Sequence, residues 1–171
     1  MKKYISMIAM ALMLSMSFTA CDVETDEKPG GTNIEKMCGN WEVVWYAVDA
    51  NGEILDEWTE GTIYTYNKAD NSTAQMWLDD KGTYWNFQFL VDIDYNAKTF
   101  RADSRDYDAA GSGQAVVTNG KILEGAGHNL HGAPADSIAF EVSFNDDNYP
   151  EKYGFDHYLV TGNKSYGSWE F

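Results

Sequence analysis

Two histidines and a nearby aspartate–serine pair form the part of this sequence best suited to acid–base chemistry. His128 and His131 lie three residues apart, and Asp136 and Ser137 follow soon after them. A hydrolytic triad needs a serine nucleophile, a histidine base and an orienting carboxylate, and the third histidine, His157, is a further candidate base. The chain lacks the Gly-x-Ser-x-Gly elbow between a strand and a helix that many hydrolases use. A polar surface loop is therefore the favoured interpretation, and no catalytic residue is assigned.

The same two histidines are also candidate zinc ligands. His128, His131 and Asp136 would supply three of the four ligands that a structural zinc site requires. The surrounding loop is rich in glycine, and the sequence shows no second pair of ligands. We therefore predict that the protein holds no metal ion and no cofactor.

The first twenty residues predict a targeting segment. Two lysines precede the apolar run Ile5–Met16, which is too short to span a bilayer. A stretch of small residues, with Phe18 where leucine is usual, then leads into Cys21. This arrangement resembles the processing site of bacterial lipoproteins, in which the cysteine becomes the acylated N-terminus. We predict a signal peptide over residues 1–20 and lipid attachment at Cys21.

A polar, acidic segment predicts a flexible linker over residues 21–33, followed by one domain over residues 34–171. Acidic residues soon after an acylated cysteine resemble a surface-export signal of lipoproteins in some Gram-negative bacteria. We therefore expect a lipid-anchored protein of the Gram-negative cell envelope, located in the outer membrane. The acidic segment is either a signal for exposure at the cell surface or an ordinary solvated linker.

Charge and cysteine content exclude several classes of partner. Without Lys2 and Lys3 of the leader, 10 of the 12 basic residues remain against 27 acidic ones, a net charge of −17. Nucleic-acid phosphates and anionic lipid headgroups would both be repelled. We predict no nucleic-acid partner, and attachment to the membrane through acyl chains rather than a basic patch. Because Cys38 is the only cysteine besides Cys21, no intrachain disulfide is expected.

The stretch Thr83–Ile93 predicts a central strand with one buried face. Residues at alternating positions share a face of a strand, and here that face carries Trp85, Phe87, Phe89, Val91 and Ile93. Residues 138–144 alternate in the same way, with Ile138, Phe140, Val142 and Phe144 on one face. The two strands are expected to face one common interior.

Turn signals at regular intervals predict an all-β fold. Asn51-Gly52 and Asn119-Gly120 are typical of tight hairpins, and Gly61 interrupts another strand pattern. We count about ten short strands. One of them is Trp41–Val48, in which nearly every residue is apolar, aromatic or β-branched, so it is either buried on both faces or closes a barrel. Consecutive hairpins favour an antiparallel up-and-down meander, closing into a lipocalin-like β-barrel of about eight to ten strands.

Short motifs along the chain resemble a known family of bacterial lipoproteins. They include Tyr64-Thr-Tyr-Asn, Met76-Trp-Leu-Asp-Asp, Trp85-Asn-Phe, Asp94-Tyr-Asn-Ala-Lys-Thr-Phe, Val117-Thr-Asn-Gly-Lys and Pro134-Ala-Asp-Ser-Ile. As a set they are similar to the lipid-binding putative hydrolases, over residues 39–162. Gly39-Asn40-Trp41 also resembles the Gly-x-Trp signature of lipocalins. The resemblance implies a lipocalin-like barrel that holds one small apolar ligand, and it brings no catalytic residues with it.

The side chains expected to line that interior are the candidate ligand contacts. They are Met76, Trp85, Phe87, Phe89, Phe140 and Val142. The resulting hypothesis is a non-enzymatic, acyl-anchored barrel that binds a small hydrophobic, lipid-like ligand. Two other hypotheses stay open: an envelope hydrolase acting on an ester or a glycan, and a surface module that binds glycan through exposed tryptophan and tyrosine side chains.

Overall fold

The computed structural model describes residues 31–107, 113–129 and 131–165. The predicted signal peptide, Cys21 and most of the predicted linker lie outside these residues. The described residues from Thr32 onward belong to one compact unit.

Within the described residues, a 3₁₀-helix (Glu35–Met37) is followed by eight strands and one short α-helix. The strands are β1 (Gly39–Val48), β2 (Ile54–Asn67), β3 (Gln75–Asp79), β4 (Gln88–Asp94), β5 (Thr99–Asp106), β6 (Gln114–His128), β7 (Pro134–Phe144) and β8 (His157–Lys164). The α-helix, α1 (Tyr149–Tyr153), lies between β7 and β8.

The eight strands form a closed antiparallel barrel. Each strand pairs with the next along the chain, and β1 also pairs with β8. At this closing contact β8 has Gly162, where any side chain would collide with the carbonyl oxygen of Glu42 on β1. The prediction of an all-β, up-and-down barrel is confirmed.

The strand count is lower than the turn signals suggested, and Gly61 is one reason. It lies inside β2 rather than between two strands, so residues predicted as two strands form one. A side chain at Gly61 would press against the Trp45 indole nitrogen and the Thr83 hydroxyl. The glycine therefore makes room for side-chain packing and does not form a turn.

Asn119-Gly120 is the second reason, because the predicted hairpin at this pair is wrong. Both residues lie inside β6, and Asn119 has a φ of 53°. The pairing of β6 with β7 shifts register between Thr118 and Lys121. An Asn-Gly pair with this geometry forms a β-bulge, which bends the strand without reversing it.

The predicted central strand Thr83–Ile93 is a strand only in its second half. β4 begins at Gln88, and the preceding residues form a loop in which Asn86 has a φ of 62°. Phe87 and Phe89 are nonetheless both buried, at 1% and 2% exposure. The alternation therefore identified Phe87, Phe89 and Val91 correctly, whereas Trp85 and Ile93 are only partly buried.

β1 has the second of its two predicted roles, because it closes the barrel by pairing with β8 and is not buried on both faces. Trp41, Val43 and Trp45 are buried, whereas the intervening residues Glu42 and Val44 are partly exposed. This alternation is the ordinary pattern of a barrel wall with one face inward.

The 3₁₀-helix closes one end of the barrel, which we call the plugged end. Ile34 and Met37 are fully buried there. Trp41 Nε1 donates a hydrogen bond to Thr65 Oγ1 at 2.8 Å, and that hydroxyl donates to the Met37 carbonyl at 2.6 Å. These bonds fix the helix to β1 and β2. Asn33 does not cap this helix, and its side-chain amide donates to the backbone carbonyl of Asn71 at 2.8 Å.

One cluster of apolar side chains occupies the barrel interior. Phe89 of β4 and Phe140 of β7 both belong to it, so the two strands with the clearest alternation do share one interior. Burying a side chain of this size stabilises the fold by about 1.5–3 kcal/mol before entropy is subtracted. The core is therefore the main source of stability in the described residues.

Candidate ligand-binding site

The barrel end opposite the plugged end carries the candidate site, and we call it the mouth. In an up-and-down barrel alternate connections lie at the same end, so the β1–β2, β3–β4 and β7–β8 connections meet there. The β3–β4 connection includes residues 83–87, which lie across the mouth and are called the lid.

Asp80 fixes the conformation of the lid through hydrogen bonds to its backbone. Its side chain is fully buried, and both carboxylate oxygens accept hydrogen bonds from backbone N–H groups of the following loop. The donors are Gly82 (3.0 Å), Tyr84 (3.2 Å), Trp85 (2.7 Å), Asn86 (2.9 Å) and Phe87 (2.9 Å). A buried carboxylate is tolerated only when it is hydrogen-bonded in this way. One acidic side chain thus organises the whole lid.

The lid carries two aromatic rings over the barrel interior. Trp85 stacks on Phe144 of β7, with ring centroids 4.7 Å apart and planes inclined by 17°. Its indole nitrogen donates to the hydroxyl of Tyr107 at 2.9 Å. Tyr84 lies 4.8 Å from the ring of Trp45. The lid is therefore attached to the barrel by ring contacts as well as by Asp80.

A chain of hydrogen bonds runs across the mouth beneath the lid. Trp58 Nε1 donates to Tyr84 OH at 2.6 Å, Tyr84 OH donates to Tyr158 OH at 3.2 Å, and Tyr158 OH donates to Asp147 at 2.7 Å. Burial raises the pKa of Tyr84. Burial, and then the hydrogen bonds to Tyr84 and Asp147, raise the pKa of Tyr158. Both hydroxyls therefore stay protonated at neutral pH and act as hydrogen-bond donors.

Trp45 provides an unused donor at the same place. Its side chain is fully buried, and Nε1 has no hydrogen-bond partner among the described residues. The ring contacts Tyr84, Phe87 and Tyr158, with centroid distances of 4.8, 6.3 and 5.7 Å. An unpaired buried N–H costs roughly 1–3 kcal/mol. An oxygen acceptor that reached this point would remove that cost.

The six predicted ligand contacts lie together in the barrel, although at different depths. Met76, Phe87, Phe89, Phe140 and Val142 are at most 2% exposed, whereas Trp85 is half-buried in the lid. Phe87 and Phe89 contact each other with ring centroids 5.2 Å apart. Their role in ligand binding stays a prediction.

The residues considered for hydrolysis lie near the plugged end, on β6, β7 and their connection. Ser137 Oγ donates to Asn163 at 2.8 Å, and Asp136 accepts from the backbone N–H of Gly125 at 2.9 Å. His128 and His131 are both exposed. In this arrangement Ser137 and Asp136 each bond a neighbouring strand or turn.

His157 lies on the outside of the barrel, at the start of β8. Its Nδ1 is 2.8 Å from an Asp156 carboxylate oxygen, and its Nε2 is 3.8 Å from Glu141. Across the three described ranges, no group of three or more His, Cys, Asp or Glu side chains is arranged to hold a metal ion.

Sequence reasoning missed the residues that build the mouth. Asp80 reads as part of a solvated turn, and Tyr84 reads as the outward face of a strand. Trp45 and Tyr158 belong to β1 and β8, which are far apart in sequence and adjacent only because the barrel closes. The one local signal in this segment is a group of aromatic residues that begins at Tyr84, four positions after Asp80.

A closed eight-stranded barrel, plugged at one end by a 3₁₀-helix and lined by apolar side chains, defines a lipocalin-like domain. The family model described as lipid-binding putative hydrolase matches residues 26–168, and the chain belongs to this family. No curated protein matches the chain.

Among the described residues, no helix is both long and apolar enough to cross a bilayer.

Proposed function

We propose that the protein binds a small single-chain lipid in the mouth half of its barrel, beneath the lid. The observation that carries the proposal is the buried Trp45 N–H, which lies in an apolar interior and has no acceptor among the described residues. A lipid with an ester, carboxyl or hydroxyl oxygen would supply that acceptor. Membership of a lipid-binding family supports the same function.

The lid rings occupy the space that such a ligand needs. Tyr84 and Trp85 contact Trp45 and Phe144, so moving the lid outward would open an apolar volume below the mouth. Each methylene buried there would contribute about 0.8 kcal/mol. This gain has to exceed the cost of separating the rings, so chain length should set the affinity.

Thermal melting in the presence of lipids tests this proposal. Monoacylglycerols and fatty acids of increasing chain length should raise the melting temperature of the wild type, because a ligand at 100 times its Kd stabilises the native state by about 2.7 kcal/mol. Trp45→Phe keeps one six-membered aromatic ring and removes the N–H, so it should bind the preferred lipid roughly tenfold more weakly. A wild type that no lipid stabilises would contradict the proposal.

Trp77→Phe is the matched control for this experiment. Trp77 is half-buried on the outer wall of β3, and the residues directly before and after it, Met76 and Leu78, face the interior. The control variant should bind the lipid as the wild type does. Equal weakening by both substitutions would show that Trp45 Nε1 is not a ligand contact.

We further propose that Cys21 is acylated and anchors the protein in the Gram-negative cell envelope. The basic start, the apolar run and the Ala-Cys junction support this. Acyl chains contribute about 0.8 kcal/mol per buried methylene, so several chains give stable anchoring. Labelled palmitate should enter the wild type in cells and should not enter Cys21→Ala. Equal incorporation would show that the cysteine is not the acylated residue.

A further inference from the structure

The barrel is closed, but the ladder between β4 and β5 covers only part of the two strands. The two strands pair over only three positions, from Asp92–Arg101 to Asp94–Thr99. β5 then shifts register twice against β6 around Ala102, and such bulges bend a strand away from its neighbour. The residues of β4 that precede Asp92, from Gln88 to Val91, have no ladder partner on β5 among the described residues. We call this region the seam.

A cleft of about 350 Å³ lies at the seam. It is lined by residues of β3, of the unpaired part of β4 and of the end of β5: Gln75, Trp77, Gln88, Phe89, Leu90, Arg105 and Asp106. This volume is at the lower end of the range of roughly 300–1,000 Å³ that small-molecule sites occupy. The cleft is distinct from the mouth and has a different composition.

Trp77 provides an apolar surface in the cleft. Its ring is half-buried, and it stacks against Tyr66 with centroids 6.4 Å apart and planes inclined by 26°. Leu90 lies directly opposite Trp77 on β4. The Lys81 ammonium group lies 5.4 Å from the centroid of the Tyr66 ring on the same outer wall. These neighbours fix the orientation of the indole.

Polar side chains around Trp77 are held in place by one another. Gln75 Nε2 and Arg105 Nη2 each donate to Asp92, at 2.9 and 2.8 Å. Gln88 Nε2 donates to the Tyr66 hydroxyl at 2.6 Å. A ligand would therefore meet donors and acceptors that are already oriented, which lowers the entropic cost of binding.

Arg105 has a donor that the protein does not use. Its side chain crosses the seam from β5 to Asp92 on β4. Its Nε atom is buried and has no hydrogen-bond partner within the described ranges. A buried guanidinium nitrogen without an acceptor is costly, so an oxygen from a ligand would be well placed here.

Charge at the cleft disfavours an anionic ligand. Arg105 shares the cleft with Asp106 and is already paired with Asp92, so the carboxylates outnumber the guanidinium. The whole chain carries a net charge of −15. An anionic ligand would be repelled, whereas hydroxyl groups can donate to the carboxylates and accept from Arg105.

An extended peptide fits the seam less well than a compact ligand. Because Arg105 reaches across to Asp92, only the short edge from Gln88 to Leu90 is open for strand pairing. Three residues of ladder give little affinity to an added strand. A ligand with an apolar ring face and several hydroxyl groups matches both the indole and the polar side chains.

We propose that the cleft at the seam binds one or two rings of an uncharged saccharide. Trp77 stacks on the apolar face of a ring, and Arg105 Nε donates to a ring or hydroxyl oxygen. Asp106 and Gln88 accept hydrogen bonds from hydroxyl groups. This site is independent of lipid binding in the mouth.

Affinity electrophoresis in gels that contain polysaccharide tests the proposal on the purified chain. The panel holds neutral glucans, mannans, galactans and xylans, with polygalacturonate as the anionic comparison. At least one neutral polysaccharide should retard the wild type, and polygalacturonate should not. Trp77→Ala should abolish the retardation, and Arg105→Gln should weaken binding at least tenfold.

Two variants serve as controls. Arg101→Gln removes the same charge from an exposed position on the same strand, and Tyr153→Ala removes an aromatic ring that is 57% exposed at the mouth. Both should be retarded as the wild type is. The proposal would be overturned if no neutral gel retarded the wild type, or if the wild type preferred polygalacturonate. It would also be overturned if Trp77→Ala and Arg105→Gln were retarded as strongly as the wild type. Loss of lipid binding would not bear on it.

Discussion

Val117→Asp should prevent the barrel from folding, whereas Val116→Asp should leave it folded. The two valines are neighbours on β6, but Val117 is fully buried and Val116 is 37% exposed. Val117 pairs with Val142 and Ala102 on the flanking strands, which also face the core. A carboxylate at Val117 would have to lose its hydration without gaining a partner. The cost would equal much of the roughly 5–15 kcal/mol by which most domains are stable.

The neighbouring substitution makes the comparison decisive. Val116→Asp makes the same substitution at a valine that faces solvent. It should lower the free energy of unfolding by about 1 kcal/mol, mostly because aspartate has a weaker strand propensity. Far-UV circular dichroism with thermal and urea unfolding measures both. If the two variants melt at similar temperatures, the inner face of β6 has been assigned wrongly.

Asp80→Ala should have the second-largest effect on stability, because it removes the carboxylate that accepts hydrogen bonds from five backbone N–H groups. Those N–H groups belong to the residues that turn the chain across the mouth, and Asp80 is itself fully buried. Leaving several buried donors without a partner costs about 1–3 kcal/mol for each that water cannot reach. We expect a loss of at least about 3 kcal/mol in the free energy of unfolding, with faster amide exchange at Trp85 and Phe87.

Asp49→Ala is the matched control for that variant. Asp49 also accepts backbone N–H groups, from Asn51 and Glu53, but it does so in the exposed β1–β2 hairpin, where water can replace it. Its loss should cost about 0.5–1 kcal/mol. Equal destabilisation by the two variants, measured by urea unfolding, would show that Asp80 is no more than an ordinary turn residue.

Alternation predicted the core well because a barrel wall has one inner face. Along β7, Ile138, Phe140, Val142 and Phe144 are all buried, as their spacing indicates. A strand with one wet face must place its apolar side chains at every second position, so local sequence is sufficient there. The same logic identified Phe89 and Val91 on β4.

Alternation could not distinguish the lid from a strand. Trp85 and Phe87 have the spacing of β4 residues, but they reach the interior from a loop that Asp80 organises. Both geometries bury every second side chain. The loop and the strand differ in their backbone hydrogen bonds. The sequence shows only the acceptor of those bonds in the loop, Asp80, which is one of twenty-seven acidic residues.

The two candidate sites depend on contacts between distant parts of the chain. Trp45 meets Tyr84 and Tyr158 only when β1, the lid and β8 come together. Arg105 reaches Asp92 only because β5 is bulged away from β4. A bulge leaves no clear local signal, so the seam and its unused donor were not predictable from residue spacing.

The pairing of β1 with β8 also sets the order in which the chain can reach its native state. Trp45 and Val160 are directly opposite each other in that ladder, yet 115 residues separate them along the chain. A growing polypeptide therefore cannot complete the barrel until its last strand has been made, and contacts this distant in sequence are slow to form. The inner faces of the early strands meanwhile stay open to solvent or to a chaperone. Until β8 joins β1, the chain therefore lacks the ladder that makes the barrel a closed structure.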